Sequence, residues 1–176
     1  MNYRRISFIA LLAICTFIGD SFAQDKPAPS PTATFSQKVG LTDVTIVYSR
    51  PSKKGRTIMG DLVPYGKVWR TGANATTKIT FSDDVKIGGK DLAAGKYAFW
   101  TIPGESEWTV IFNKDIKSGA GNYQESEDAL RVNVEALKIA ETVETFVIMI
   151  ADNKPNSANI QLLWESTLIH VPLEVK

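Results

Sequence analysis

The sequence predicts an all-β fold: an antiparallel β-sandwich of about eight to ten strands, jelly-roll-like or a partly open barrel, with one long irregular loop. Three observations carry this expectation. Alternation of apolar and polar residues with period two recurs along the chain. β-Branched and aromatic residues crowd the alternating segments, as a pleated and half-buried surface requires. Gly-, Pro- and Asn-containing turn signals separate them at short intervals.

The N-terminus follows a different grammar. Arg4 and Arg5 precede an apolar stretch from Ile6 to Ile18, broken only by Ser7, Cys15 and Thr16, and then the small-residue ending Ser21-Phe22-Ala23. A basic region, a short apolar run and an A-x-A-like site predict a cleavable signal peptide over residues 1–23. The run is too short for a membrane span, which needs about 20 residues. Cys15 follows the bulky Ile14 and lies inside the apolar run, so it reads as a small hydrophobe there and not as a lipidation site. The chain is therefore expected outside the cytoplasm, periplasmic or extracellular, with no transmembrane segment after cleavage. Residues 24–32 (QDKPAPSPT) read as a flexible tether, and 33–176 as a single domain. About 150 residues suffice for an ordinary core, since a domain of that size buries roughly 68–70% of its unfolded surface. With Cys15 removed, disulfides are excluded.

The strands follow in order. Between Leu41 and Tyr48, Val44, Ile46 and Tyr48 share one face. Thr76–Phe81, Lys96–Ile102, Glu107–Phe112, Leu130–Val134, Val143–Ala151, Ile160–Trp164 and Leu168–Val175 read the same way. Val85-Lys86-Ile87 and Lys90-Asp91-Leu92 flank Gly88-Gly89, a two-residue hairpin signal. Pro103-Gly104 and Lys154-Pro155-Asn156 mark further turns. Glu125–Leu137 offers room for a helical turn or two, against which Val132, Asn133 and Val134 argue. Trp100, Trp108 and Trp164 sit in alternating strands and are expected in the core.

Residues 49–74 break the pattern, with four glycines, two prolines and no sustained alternation. A connection this long inside a compact domain is often functional. Charge concentrates there too. Seven basic residues (Arg50, Lys53, Lys54, Arg56, Lys67, Arg70 and Lys78) lie between Ser49 and Lys78 against one acid, Asp61, whereas 15 acids and nine bases follow from Ile79 onward. Such a patch fits an anionic ligand, or else pairs with acids of the other half.

Familiar chemistries meet obstacles. The only histidine, His170, lies in a predicted strand, and no Gly-x-Ser-x-Gly element occurs. One His and no mature Cys provide no usual zinc or copper site, and Asp83-Asp84 and Glu125/Glu127/Asp128 lack calcium-loop spacing. No metal and no cofactor is expected. Gly60–Lys67 (GDLVPYGK) has one residue too many for a phosphate loop, and Val68 stands where Ser or Thr is required. Glu105, Glu107, Glu125 and Asp128 are loop acids from which a glycosidase-like pair would be drawn. Tyr65 and Trp69 beside basic residues suit a sugar ring or a carboxylate. Nucleic acid is not an expected partner of an exported chain.

Four stretches together resemble one family: VTIVYSRPSKKGR (44–56), GDLVPYGKVWRTGANATTKITF (60–81), LAAGKYAFWTIPGESEWTVIFNK (92–114) and QLLWESTLIHVPL (161–173). They are similar to the bacterial domain-of-unknown-function family 2911. That resemblance implies a secreted protein and assigns no activity. It directs attention to Arg50, Arg56, Tyr65, Trp69, Arg70 and Asn74, which match the family's characteristic segment. Those six residues are the candidate binding site. Three readings stay open: a binding module for an anionic or carbohydrate-like ligand on the 49–74 loop, a structural or assembly protein of the envelope with a protein partner, and a carboxylate-dependent hydrolase.

Overall fold

The computed structural model describes residues 27–119 and 121–176; the signal peptide and the start of the tether, expected at 1–26, lie outside the described residues. Nine strands run in chain order: β1 (Thr32–Val39), β2 (Thr42–Ser49), β3 (Lys78–Phe81), β4 (Val85–Ile87), β5 (Lys90–Leu92), β6 (Gly95–Ile102), β7 (Glu107–Asn113), β8 (Asp128–Lys154) and β9 (Ser157–Val175). They form one antiparallel sheet in the order β1-β2-β3-β6-β7-β8-β9-β4-β5, and it does not close into a barrel. No described helix is long and apolar enough to cross a membrane.

β8 gives the sheet its layered form. Its first part pairs with β7, from Asp128 against Asn113 to Glu135 against Glu107, and from Ala136 onward it pairs with β9. One strand thus passes from one half of the sheet to the other, and the halves face each other. Tyr48 of β2 accepts a hydrogen bond from the Ile148 N–H of β8 at 3.0 Å, and its ring meets Phe146 edge-on. Between the halves lie Phe81, Phe99, Trp108, Phe112, Phe146, Trp164 and the aliphatic residues around them, all buried. A smaller cluster of Ala98, Trp100 and Ile111 occupies the other face of β6 and β7, with Tyr123 packed over it. The three tryptophans expected in the core are there.

Element boundaries differ from expectation at two kinds of place. The sequence delimits no strand before Leu41, yet Thr32–Val39 pairs with β2 along its whole length. Its inward residues, Ala33, Phe35, Gln37 and Val39, include a glutamine and a small residue, which blurs the period-two signal. Leu41 itself sits in the turn, 86% exposed, after Gly40 at φ 56°. Further on, Leu130–Val134 and Val143–Ala151 are one strand, β8, and Ile160–Trp164 and Leu168–Val175 are one strand, β9. No Gly or Pro intervenes in either case, so nothing ends the strand locally. The helical option at Glu125–Leu137 is realised only as the 3₁₀ turn Glu125–Glu127.

The pairing of β8 with β9 is uneven, and the unevenness seats the long loop. From Lys138 to Val147 β8 advances nine residues, while β9 advances only four, from Thr167 to Leu163. The excess bulges away from β9. Its backbone pairs instead with the start of the 50–77 connection: Lys53 N–H donates to the Glu144 carbonyl at 2.7 Å, and Phe146 N–H to that of Pro51 at 2.9 Å. Ser52 and Thr145 face each other as an isolated bridge.

Candidate functional site

The 50–77 connection is irregular but held at many points. Glu165 of β9 is its principal clamp. The carboxylate accepts from Ile58 N–H at 3.3 Å and Met59 N–H at 3.1 Å, and Lys53 Nζ stands 3.4 Å away. Burial pushes the Glu165 carboxyl up, but the two backbone donors and Lys53 outweigh it and hold the group below the ordinary glutamate range. Glu165 itself lies at φ 54°.

The second half of the loop is fixed against β6 and β3. Trp69 exchanges two backbone hydrogen bonds with Thr101, at 2.7 and 3.0 Å. Thr71 is fully buried and adopts φ 55°, a costly conformation for a β-branched residue. Three hydroxyl contacts impose it: Thr71 Oγ1 with Thr101 Oγ1 at 3.0 Å and with the Trp69 carbonyl at 3.3 Å, and Thr77 Oγ1 donating to the Thr71 carbonyl at 2.6 Å. Gly72 follows at φ 150°, where an added Cβ would stand 2.9 Å from the Ser49 carbonyl oxygen. Arg70 thus projects from a backbone locked on both sides.

The six candidate residues separate into two groups. Arg50 donates its Nε to the Phe146 carbonyl at 3.3 Å and its backbone N–H to that of Pro31, bracing β2 against β8 and the N-terminal segment. Asn74, exposed and at φ 55°, donates Nδ2 to the Ser30 carbonyl at 3.1 Å. Tyr65 is half-buried and packs against the core, where burial first and then Glu105 and Glu165 push its phenol up. These three act locally as braces or packing. The other three, Arg56, Trp69 and Arg70, line one cavity of about 230 Å³.

Leu62, Val63 and Trp164 complete most of the cavity wall, and among the described residues no carboxylate lines it. Trp69 donates its indole N–H to the Gly72 carbonyl at 3.1 Å and stacks on Trp164, 6.0 Å between centroids at 18°, with Phe146 and Trp108 behind. It is an anchor whose edge reaches the cavity. Arg56 is exposed, with Nε on the Lys53 carbonyl at 3.0 Å and one terminal nitrogen on that of Ser52 at 2.6 Å. Arg70 differs. Its Nε is buried without a hydrogen-bond partner among the described residues, and it forms none of the ion pairs seen among them. The buried Trp100 and Trp108 indole nitrogens are likewise without a partner, so what sets Arg70 apart is an unpaired charge at the cavity wall.

The remaining candidate chemistry lies elsewhere. Glu105 and Glu107 are exposed after the Pro103-Gly104 turn. Asp128 is engaged by Arg131 (2.6 Å), Tyr123 (2.5 Å) and Asn113 (2.7 Å), and Glu125 pairs with Arg131 at 3.2 Å. His170 stands on β9 beside Gln161 and Asp152, with Nδ1 at 3.3 and 3.7 Å from them. None of these lines the Arg70 cavity. Among the described residues no group of three or more His, Cys, Asp or Glu is arranged to hold a metal ion.

Sequence reading did not single out Leu62, Val63, Trp164 or Glu165 for this site. Trp164 and Glu165 carry no local signal, because they reach the loop from a strand more than 90 residues further along the chain.

Fold and site together define an all-β domain whose long basic loop borders a small pocket that no carboxylate among the described residues lines. The chain belongs to the family described as protein of unknown function (DUF2911), whose model matches residues 30–173. Searches of curated proteins and of solved structures found no match.

Proposed function

We propose that this protein is an exported binding module that takes a small anionic ligand in the cavity lined by Arg56 and Arg70. The observation that carries the reading is that Arg70 lines a cavity with no carboxylate among the described residues and forms none of the ion pairs seen among them. A planar guanidinium presents a fork that matches two anionic oxygens, so a carboxylate, phosphate or sulfate would supply the acceptor the fold leaves out. The strained Thr71 supports the same reading, since backbone strain concentrates where a side chain must be aimed. The neutral-sugar alternative draws less support, because the cavity wall offers neither a carboxylate nor an amide side chain to accept from hydroxyls. The N-terminal pattern of Arg4-Arg5, apolar run and Ser21-Phe22-Ala23 supports a site of action outside the cytoplasm.

A thermal-shift comparison of the wild type with Arg70→Gln and Arg70→Lys tests the reading, using acetate, benzoate, phosphate and sulfate. A ligand at 100 times its Kd adds about 2.7 kcal/mol, which for a chain of this size raises Tm by roughly 5–10 °C. The wild type should respond to at least one anion, Arg70→Gln should not, and Arg70→Lys should respond weakly. An equal response in wild type and Arg70→Gln would remove Arg70 from the site, and no response to any anion would end the reading.

A further inference from the structure

The same cavity restricts which anion it accepts, and resting on the reading above we infer that its ligand class is a monocarboxylate with a short apolar or aromatic body. Arg56 already donates Nε and a terminal nitrogen to the Lys53 and Ser52 carbonyls, whereas the terminal nitrogens of Arg70 donate to no group among the described residues. One fork matches the two oxygens of one carboxylate. A phosphate dianion needs more donors, which proteins commonly supply as a helix N-terminus or a nest of backbone N–H groups. Among the described residues no helix N-terminus frames this cavity, and the Ile58 and Met59 N–H groups of the loop face the Glu165 carboxylate.

The wall is mixed. Leu62, Val63, Trp69 and Trp164 supply its larger apolar side chains, beside Ser30 and the two arginines. Leu62 is 45% exposed, one of only three large hydrophobic residues so exposed among the described residues, and it sits at this cavity. An apolar side chain left in water at the same cavity as an unpaired guanidinium suits a ligand with a charged head and an apolar body. The volume of about 230 Å³ sets the size. That is room for a small ring or a short branched chain beside the guanidinium.

Intrinsic tryptophan fluorescence offers a direct measurement, because Trp69 and Trp164 form part of the wall. The purified full-length gene product is titrated with benzoate, isovalerate, acetate, inorganic phosphate, sulfate, benzamide and glucose. Benzoate or isovalerate should bind at least tenfold more tightly than acetate, phosphate or sulfate, with benzamide and glucose at least tenfold weaker again. Leu62→Asn, a change at an exposed position, should weaken benzoate at least threefold and leave acetate within twofold. Phosphate or sulfate binding as tightly as benzoate, and lost in Arg70→Gln, would overturn the ligand class while leaving the anion site standing. Benzamide matching benzoate would overturn the role of the charge. If no anion binds in an Arg70-dependent way, this inference falls together with the reading beneath it.

Discussion

Glu165 should hold the long loop to the sheet, and replacing it should loosen the whole wall of the cavity. Glu165→Ala removes the acceptor of two backbone N–H groups, those of Ile58 and Met59, both partly buried. Leaving each unsatisfied costs about 1–2 kcal/mol, giving a loss of about 2–4 kcal/mol. For a chain of this size that lowers Tm by roughly 4–16 °C. Glu165→Gly loses the same acceptor but removes the penalty of a side chain at φ 54°, about 1 kcal/mol, and should be correspondingly milder. Glu165→Gln keeps one acceptor oxygen and loses the charge facing Lys53, so about 1 kcal/mol is expected. Denaturant unfolding at pH 7 should therefore rank Gln least damaging, then Gly, then Ala. The pH dependence has a definite sign. The folded carboxyl is held below its ordinary value, so its contribution is whole above about pH 4.3 and is lost as pH falls through the lowered folded value. The gap between wild type and Glu165→Gln should narrow on acidification. Glu165→Ala within about 0.5 kcal/mol of wild type, or a gap that widens towards acid, would refute the clamp.

Three further predictions rest on other parts of the fold. Trp69→Ala should cost about 3–5 kcal/mol in denaturant unfolding, because the ring is packed by Trp108, Phe146 and Trp164; a loss below about 1 kcal/mol would contradict that packing. Gly72→Ala should destabilise by about 2 kcal/mol or more, since the new Cβ meets the Ser49 carbonyl of β2 at 2.9 Å at a positive φ; a neutral result in a melting assay would show that the strand and loop can part there. Tyr123 ionisation is pushed up to about 12, by burial first and then by its hydrogen bond to Asp128. An acid raised in the folded state contributes stability below about pH 10 that is lost as pH rises towards 12, and the 295 nm titration of wild type minus Tyr123→Phe should show this late transition; a difference midpoint near 10 would contradict it.

What the sequence reveals of this protein follows the range of its interactions. Strand alternation and turn chemistry are local, so Val44-Ile46-Tyr48, the Gly88-Gly89 hairpin and Pro103-Gly104 could be read directly and are where the fold has them. β1 was missed because Gln37 and the small residues around it weaken a pattern that its pairing with β2 completes. The merging of segments into β8 and β9 was hidden because continuity there depends on pairing between strands and not on any residue in the gap.

The site divides along the same line. By itself the sequence determined that residues 49–74 are irregular, basic and rich in Arg and aromatic residues, and Arg56, Trp69 and Arg70 do meet at one cavity. Only the tertiary structure decided that Arg50 and Asn74 brace the backbone, that Tyr65 packs against the core without lining the cavity, and that Trp164 and Glu165 belong to this neighbourhood. Whether an arginine is paired or orphaned depends on which carboxylates reach it through space. Glu165 lies 107 positions from Ile58 along the chain, and it is the excess of β8 over β9 that docks the loop within its reach. Such closeness arises from the pairing of strands distant in sequence, and no local run of residues encodes it.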